Sequence, residues 1–503
     1  MAGVRVLFAS SELNGFAKTG GLADVAASLP RALAQLGNSV AIVMPLYGIV
    51  RRAKIPLEKT GVALPVPMGP RVLACPLYRA RLPNSDVPVY LVEHQPFFER
   101  DDGSRRCGLY QETQPSGSKT DYGDNAERFT FFCRAVLEAV PHVGFTPDIL
   151  HANDWQTGLV PVYLAELYRS RPRYAAMRSV FTIHNMAFQG DFSRDAMKFN
   201  GLPQRLFDTG QIEYYNKVNF LKAGIVYADA VTTVSPTYAK EIRSPLFGCG
   251  LDGLLRGYSD KLTGIVNGVD YTDWDPATDS HIAANYLLET VFANKPACKA
   301  DLQKQMHLPE EGKAPVLGLV ARLAYQKGID LVLSAAKGFI DLGCQLAILG
   351  EGEPKYHAEL RSLHDRFPDR VGLHLGFSED LAHKVEAGSD LFLMPSRYEP
   401  CGLNQMYSQR YGTPPVVRAT GGLADTVVNA TEENLKAGTA TGFSFGADTP
   451  AALYDTVKWA LTLFRDRPAD FQQVVRAAMA LNWSWDRSAA EYEKLYRRLI
   501  MNA

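Results

Sequence analysis

At 503 residues, with 46% hydrophobic and 21% charged positions, the chain is long enough for more than one domain and has a folded globular composition, which sets disorder aside. Its formal net charge of −1 leaves no electrostatic footprint for nucleic acid or an anionic membrane, so any bound phosphate must meet locally placed cations. The seven cysteines include no CxxC pair and no Cys/His cluster of zinc spacing, and read as reduced thiols. No stretch reads as a signal peptide or a transmembrane helix. A cytoplasmic location is expected, or the plastid stroma for a eukaryotic mature form.

Short runs rich in Val, Ile and Leu recur at residues 4–9, 40–44, 87–92, 149–150, 180–183, 230–234 and 262–266. They recur again at 316–320, 345–349, 371–375, 391–394 and 415–418, with helix-length amphipathic stretches between them. Continuous apolar runs mark strands buried on both faces, and strand–helix alternation marks a parallel sheet covered by helices. The pattern occurs twice, which predicts two doubly wound α/β domains. Their expected bounds are 1–262 and 263–482, followed by a helix over 483–503 with Tyr492, Leu495, Tyr496 and Leu499 at helical spacing. The polar, Gly-containing stretch 97–123 reads as a mobile insertion. Residues 19–25 read TGGLADV and residues 420–426 read TGGLADT. Two similar phosphate-facing turns in two similar domains would explain the repeat.

In open parallel sheets, ligands bind beyond the carboxyl ends of the strands. Unusual polar residues follow the apolar runs in both halves. The first half has Ser10, Ser11, Glu12 and Lys18-Thr19-Gly20-Gly21, then His151, Asn153, Asp154 and Trp155, then His184 and Asn185, and finally Asn267 and Gly268. The second half has Arg322 and Lys327, then Gly350-Glu351-Gly352, then Ser396, Arg397 and Glu399. Domains that faced each other would bring these groups to one cleft. Gly20 and Gly21 let backbone amides approach a phosphate, and the helix opening near Leu22 adds its dipole. Lys18, Arg322 and Lys327 can neutralise a diphosphate. Glu399 and His184 can grip sugar hydroxyls and stabilise positive charge on the ring. Each element also has a plainer reading. A Gly-Gly turn serves tight packing, His184 is a satisfied core histidine, Asp154 is a helix cap, and Glu399 caps the amides that follow it.

KTGGLADV (18–25), HANDWQTGL (151–159), TIHNMAFQG (182–190), VNGVD (266–270), ARLAYQKGID (321–330), PSRYEPCGLNQ (395–405) and ATGGLADTV (419–427) stand in the order of the sequence blocks of bacterial glycogen synthases and plant starch synthases. The chain resembles that family along essentially its whole length. The resemblance implies a glycosyltransferase-B fold, two Rossmann-like domains facing a deep cleft, with a C-terminal helix returning to the first domain. It implies transfer of glucose from the nucleotide sugar ADP-glucose to an α-1,4-glucan or malto-oligosaccharide acceptor, with retention of configuration and no metal or other cofactor.

By the same resemblance, His184, Glu399, Asp154, Lys327 and Arg322 would form the catalytic set. Lys18, the Gly20 and Gly21 amides, Arg322 and Lys327 would hold the distal phosphate. His184 would meet the glucose 6-hydroxyl, while Asp154 and Asn185 would meet donor or acceptor hydroxyls. Glu399, with the backbone of Cys401 and Gly402, would bind the 3- and 4-hydroxyls. Asp24, Asn267 and Leu403 complete the substrate-binding set. Phe377 would stack on the adenine, standing where the family has Tyr. Many retaining glycosyltransferases carry a second Glu eight residues after the first, whereas this chain has Tyr407.

Retention without an enzymic nucleophile favours front-face displacement, in which the departing phosphate accepts the acceptor's proton. A retaining hydrolase would need a carboxylate pair, for which Asp154 and Glu399 are the candidates. A phosphorylase would need a pyridoxal phosphate lysine, and no site for one is recognisable. A catalytically weak glucan-binding relative and a UDP-glucose-preferring synthase are the remaining alternatives.

Overall fold

The computed structural model describes residues 3–100, 108–114 and 119–502. Its strands in chain order are β1 (Arg5–Ala9), β2 (Ser39–Pro45), β3 (Glu58–Met68), β4 (Arg71–Arg81), β5 (Pro88–Val92), β6 (Gln111–Thr113) and β7 (Lys119–Asp121). There follow β8 (Ile149–Asn153), β9 (Arg178–Ile183), β10 (Asp191–Ser193), β11 (Glu213–Tyr214), β12 (Lys217–Asn219), β13 (Ala230–Thr233) and β14 (Leu262–Gly264). The second half carries β15 (Val316–Leu323), β16 (Gln345–Gly352), β17 (Val371–Leu375), β18 (Leu391–Met394), β19 (Pro415–Arg418) and β20 (Phe443–Phe445).

The chain divides into two compact units. One comprises the chain to Val234, Ala239–Gly268 and the segment from Trp485, and the other comprises Ser235–Tyr238 and Val269–Ser484. Both bounds fall later than the sequence suggests. β14 begins at Leu262, where a boundary was expected, and pairs in parallel with β13, so it belongs to the first sheet. Trp483 stays with the second unit because its carbonyl accepts from Val269 N.

The first unit is built on a nine-stranded sheet in the order β14-β13-β9-β8-β1-β2-β5-β4-β3. β1 lies between β8 and β2, with Leu7 opposite Leu150 and Ala41. Val6, Leu7 and Phe8 are fully buried in succession, as a strand covered on both faces requires. β3 and β4 form an antiparallel hairpin at one edge. Their residues alternate between buried and exposed, and β3 carries Pro65 and Pro67, which an edge strand tolerates. That alternation and those prolines hide both strands from a search for continuous apolar runs. Of the expected insertion 97–123, residues 101–107 and 115–118 lie outside the described residues. Part of the remainder forms the β6–β7 pair. The helix Trp485–Met501 belongs to this unit, where Tyr496 OH meets His151 Nδ1 at 2.7 Å and Ser488 Oγ donates to Val266 O at 2.6 Å.

The second unit holds a parallel six-stranded sheet in the order β17-β16-β15-β18-β19-β20. Alternate residues of its strands feed two separate cores. Leu317, Leu319, Leu346, Ile348, Leu391 and Leu393 join one, while Val316, Ala347, Leu349, Phe392 and Met394 join the other. Side chains of a strand alternate between faces, so both faces are buried and only the strand ends remain for polar groups.

The two TGGLAD segments each open a helix, at Gly21–Gln35 and Gly421–Thr426, but their glycines serve different purposes. A Cβ placed on Gly20 or Gly21 would meet nothing within 4 Å. A Cβ on Gly421 would sit 2.0 Å from Glu399 O, and one on Gly422 would sit 2.1 Å from Cys401 O. The two turns therefore differ in packing: the first pair of glycines borders open space, and the second pair is close-packed against backbone. Gly422→Ala should lower stability by about 1–3 kcal/mol through overpacking. Gly21→Ala should stay within about 0.5 kcal/mol of wild type. Thermal melts of the two variants check this, and equal losses would abolish the distinction.

Candidate functional site

In the first unit, the expected polar residues gather at the ends of β1, β8 and β9. Asp154 follows β8 with φ 55° and ψ 179°, a conformation side-chain-bearing residues rarely adopt, which marks local strain of the kind found at functional sites. Its Oδ1 accepts from His184 N at 2.7 Å. Burial pushes its pKa up to about 7, with the nearby Glu12 adding to the rise and backbone hydrogen bonds from His184 and Asn185 opposing it.

The tautomer of His184 follows from its neighbours. Asn153 Nδ2 donates to Ala9 O at 3.1 Å, which leaves Asn153 Oδ1 as the acceptor facing His184 Nε2 at 3.0 Å. Nε2 therefore carries the hydrogen. Burial pushes the His184 pKa down to about 3, so the ring is neutral and Nδ1 keeps a lone pair that can accept from a hydroxyl. His184 thus has more to offer than a satisfied core histidine, because one ring nitrogen is fixed and the other is left for a ligand. Asn185 Oδ1 accepts from Ala187 N at 3.0 Å.

At the turn before the helix Gly21–Gln35, Lys18 Nζ pairs with Asp24 Oδ1 at 2.6 Å. The amide of Gly20 is already engaged, donating to Glu12 Oε2 at 3.1 Å. Asn267 lies elsewhere, at the junction with the C-terminal helix. It is 7% exposed, and its Oδ1 has no hydrogen-bond partner among the described residues. Gly268 beside it packs so closely that a Cβ would sit 2.6 Å from Trp485 Cα.

In the second unit, Lys327 Nζ meets Glu399 Oε2 at 2.5 Å, and Ser396 Oγ donates to the same oxygen at 2.9 Å. Among the described residues nothing bonds Glu399 Oε1, which keeps its lone pairs for a ligand. The capping alternative for Glu399 fails, because the helix nearby spans Asn404–Arg410 and the carboxylate bonds a lysine and a serine instead.

This pair depends on a braced loop. Arg397 holds Asp330 through two bonds of 2.7 and 2.8 Å, Asp448 at 3.0 Å and Tyr325 O at 2.8 Å. Its amide donates to Gln326 O at 2.8 Å. Gln326 Nε2 donates to Tyr398 O at 3.1 Å, and Arg322 Nη2 donates to Gln326 Oε1 at 3.1 Å. Gly328 closes the turn at φ 68°, and its missing Cβ would stand 2.2 Å from Pro395 O. Only glycine fits that approach.

Cys401, Gly402 and Leu403 connect Glu399 to the next helix, with Gly402 at φ 74°. Phe377 is 84% exposed, and among the described residues no hydrogen bond or ring contact joins it to the Lys327–Glu399 pair. Tyr407 stacks on Trp274 at 4.1 Å and 6°, and Trp274 stacks on His383 at 3.8 Å and 9°. An aromatic column therefore fills the position where a second carboxylate is absent.

The structure thus brings Asp154, His184 and Asn185 together, and separately Lys327 and Glu399, with Arg322 bonded to Gln326 of the neighbouring loop. Sequence reasoning gave no role to Asn153, which sets the His184 tautomer, or to Ser396 and Arg397, which set the ion pair. Their positions at strand ends were the available signal.

The pKa of Asp154 has a consequence for stability. An unfolded aspartate titrates near 3.8 and the folded one near 7, so the folded state holds an extra proton between those values. Stability from this group is present below 3.8 and is lost as pH rises through about 7. Asp154→Asn should melt above wild type at pH 8, by an amount on the order of a few kcal/mol, and the gap should close towards pH 5. A gap that does not change with pH would refute the assignment.

Residues 5–257 match the starch synthase catalytic domain, and residues 303–473 match the group 1 glycosyl transferases. The glycogen synthase of Anaeromyxobacter sp. (strain Fw109-5) is 48% identical over 496 residues, 99% of each chain. Glycogen synthase 1 of Geobacter sulfurreducens is 44% identical over 99% of this chain and 97% of that one. Among solved structures, the catalytic domain of starch synthase IV from Arabidopsis thaliana, bound to ADP and acarbose, superposes with a TM-score of 0.88 at 31% identity, covering 99% of this chain and 100% of that one. Taken with two Rossmann-like units that carry polar groups at their strand ends, these matches make the chain a glycosyltransferase of the glycosyltransferase-B fold, and a member of the glycogen synthase and starch synthase family.

Proposed function

We propose that the protein elongates α-1,4-glucan in the cytoplasm, transferring glucose from ADP-glucose to the chain end with retention of configuration and releasing ADP. The ADP and acarbose bound to the Arabidopsis domain support ADP as the leaving group. The observation that carries the reading is the Lys327–Glu399 pair, in which one carboxylate oxygen is tied down by a cation and a hydroxyl and the other is left for a ligand.

Glu399 Oε1 and the backbone of residues 401–402 hold glucose hydroxyls, and the carboxylate favours positive charge developing on the ring. Lys327 and Arg322 neutralise the departing diphosphate, and the Lys18–Gly21 turn holds the distal phosphate. His184 Nδ1 accepts from a sugar hydroxyl, and ionised Asp154 binds donor or acceptor hydroxyls. Phe377 offers an exposed ring for the adenine. The bond from the anomeric carbon to the phosphate oxygen breaks as the acceptor oxygen attacks from the same face, and the acceptor's proton passes to the departing phosphate. The protein's part is position and charge. No metal ion is needed because the three cations supply the charge, and neither nucleic acid nor membrane takes part.

Glu399→Gln keeps shape and one acceptor but removes the charge. Turnover should fall strongly, donor affinity should change much less, and melting should barely move. A variant that melts clearly lower yet turns over normally would refute the reading. Lys327→Ala and Arg322→Ala should each cost about 10²–10³ in turnover at saturating donor. On a malto-oligosaccharide acceptor, ADP-glucose should outperform UDP-glucose, and activity should survive EDTA. Preference for UDP-glucose, or loss on chelation with rescue by Mg²⁺, would overturn the corresponding part.

A further inference from the structure

Glu12 lies just beyond β1 and is 4% exposed. Its carboxylate accepts four hydrogen bonds. Oε2 takes Thr19 N at 2.5 Å and Gly20 N at 3.1 Å, while Oε1 takes Thr19 Oγ1 at 2.6 Å and Tyr110 OH at 2.9 Å. Tyr110 OH also meets Ser11 Oγ at 2.7 Å. One carboxylate therefore joins the exit of β1, the turn at residues 18–21 and the segment around Tyr110.

Beside Glu12, the turn is held by the Lys18–Asp24 pair at 2.6 Å and by backbone bonds from Asn14 N to Ala23 O at 3.0 Å and from Ala23 N to Gly20 O at 3.3 Å, none of which takes up the Thr19 and Gly20 amides. Gly20 is extended and makes no side-chain cap, and both glycines face open space. Two adjacent glycines would otherwise leave the backbone unusually free. Nor can an incoming phosphate readily take Glu12's place, because it would strand a buried carboxylate without three of its four donors. The amides of Thr19 and Gly20 thus stay with Glu12, while the Gly21 amide and the N–H groups that Lys18 does not spend on Asp24 are offered to a ligand.

We propose that Glu12 is a positioning residue for the donor's diphosphate, holding the turn at residues 18–21 so that Lys18 and the Gly21 amide meet the phosphate, without touching substrate itself. This rests on the phosphate-binding reading of that turn given above. Glu12 also bears on Asp154. The groups facing Asp154 are Glu12 from the exit of β1 and the His184 and Asn185 amides from the exit of β9, with the His184 ring neutral. Around Glu12 itself stand the hydroxyls of Tyr47 and Tyr110, with Arg128 acting on Tyr47.

The test is ADP affinity by calorimetry and the pH profile of kcat/KM for ADP-glucose, in full-length wild type, Lys18→Ala and Glu12→Gln. In Glu12→Gln, ADP should bind about tenfold more weakly, as for the loss of one charge-assisted hydrogen bond. The acidic limb of the profile should move to lower pH, because one negative charge no longer opposes ionisation of Asp154; damage to the fold alone would leave the limb in place. If Lys18→Ala weakens ADP while Glu12→Gln matches wild type in both readouts, the positioning role is refuted and the phosphate site stands. If Lys18→Ala leaves ADP affinity unchanged, the phosphate reading of the turn is itself refuted. Should Glu12→Gln fail to fold, Thr19→Val removes only the hydroxyl bond to Glu12. It should weaken ADP several-fold at unchanged melting temperature, and wild-type affinity there would overturn the proposal.

Discussion

Burial of both faces of each parallel sheet is the constraint on which the rest of this protein depends. The alternate residues of β15, β16 and β18 enter two separate cores, so no charged side chain can be placed in the middle of these strands without losing its hydration. Charge is displaced to the carboxyl ends. Glu12 follows β1, Asp154 follows β8, His184 follows β9, Lys327 follows the loop after β15, and Glu399 follows β18. The fold concentrates charged and polar groups at strand ends as a by-product of covering its sheets.

Once there, each buried charge is stabilised by a partner of defined geometry. Glu12 is held by two backbone amides and two hydroxyls. Glu399 is held at one oxygen by Lys327 and Ser396. The difference matters for function. A carboxylate with both oxygens occupied can orient backbone, whereas one with an oxygen to spare can also meet a ligand. Asp154 is intermediate, since its backbone hydrogen bonds do not offset the cost of burial, and its proton affinity rises accordingly.

The TGGLAD repeat warns against reading chemistry from residue identity alone. In one copy the glycines leave open space in front of a helix, and Asp24 pairs with Lys18. In the other the glycines press against the carbonyls of Glu399 and Cys401, and Asp425 accepts from Thr237 N and Oγ1. The second copy thereby packs directly on the backbone that carries Glu399.

The sequence by itself determined the architecture. Unbroken apolar runs can be satisfied only by strands covered on both faces, and the spacing between runs demanded helical crossovers. Polar residues set after those runs marked Asp154, His184, Lys327 and Glu399 as candidates, because a strand end is a local property of the chain. The edge hairpin β3–β4 stayed hidden, since a half-exposed strand containing Pro65 and Pro67 has the local signature of a loop. Tertiary structure alone decided which charges meet. Lys327 and Glu399 are 72 residues apart, Tyr110 lies 98 residues from Glu12, and the His184 tautomer depends on Asn153, 31 residues before it. Hydrogen-bond partners across such separations are fixed by strand order and loop packing, which no local pattern encodes.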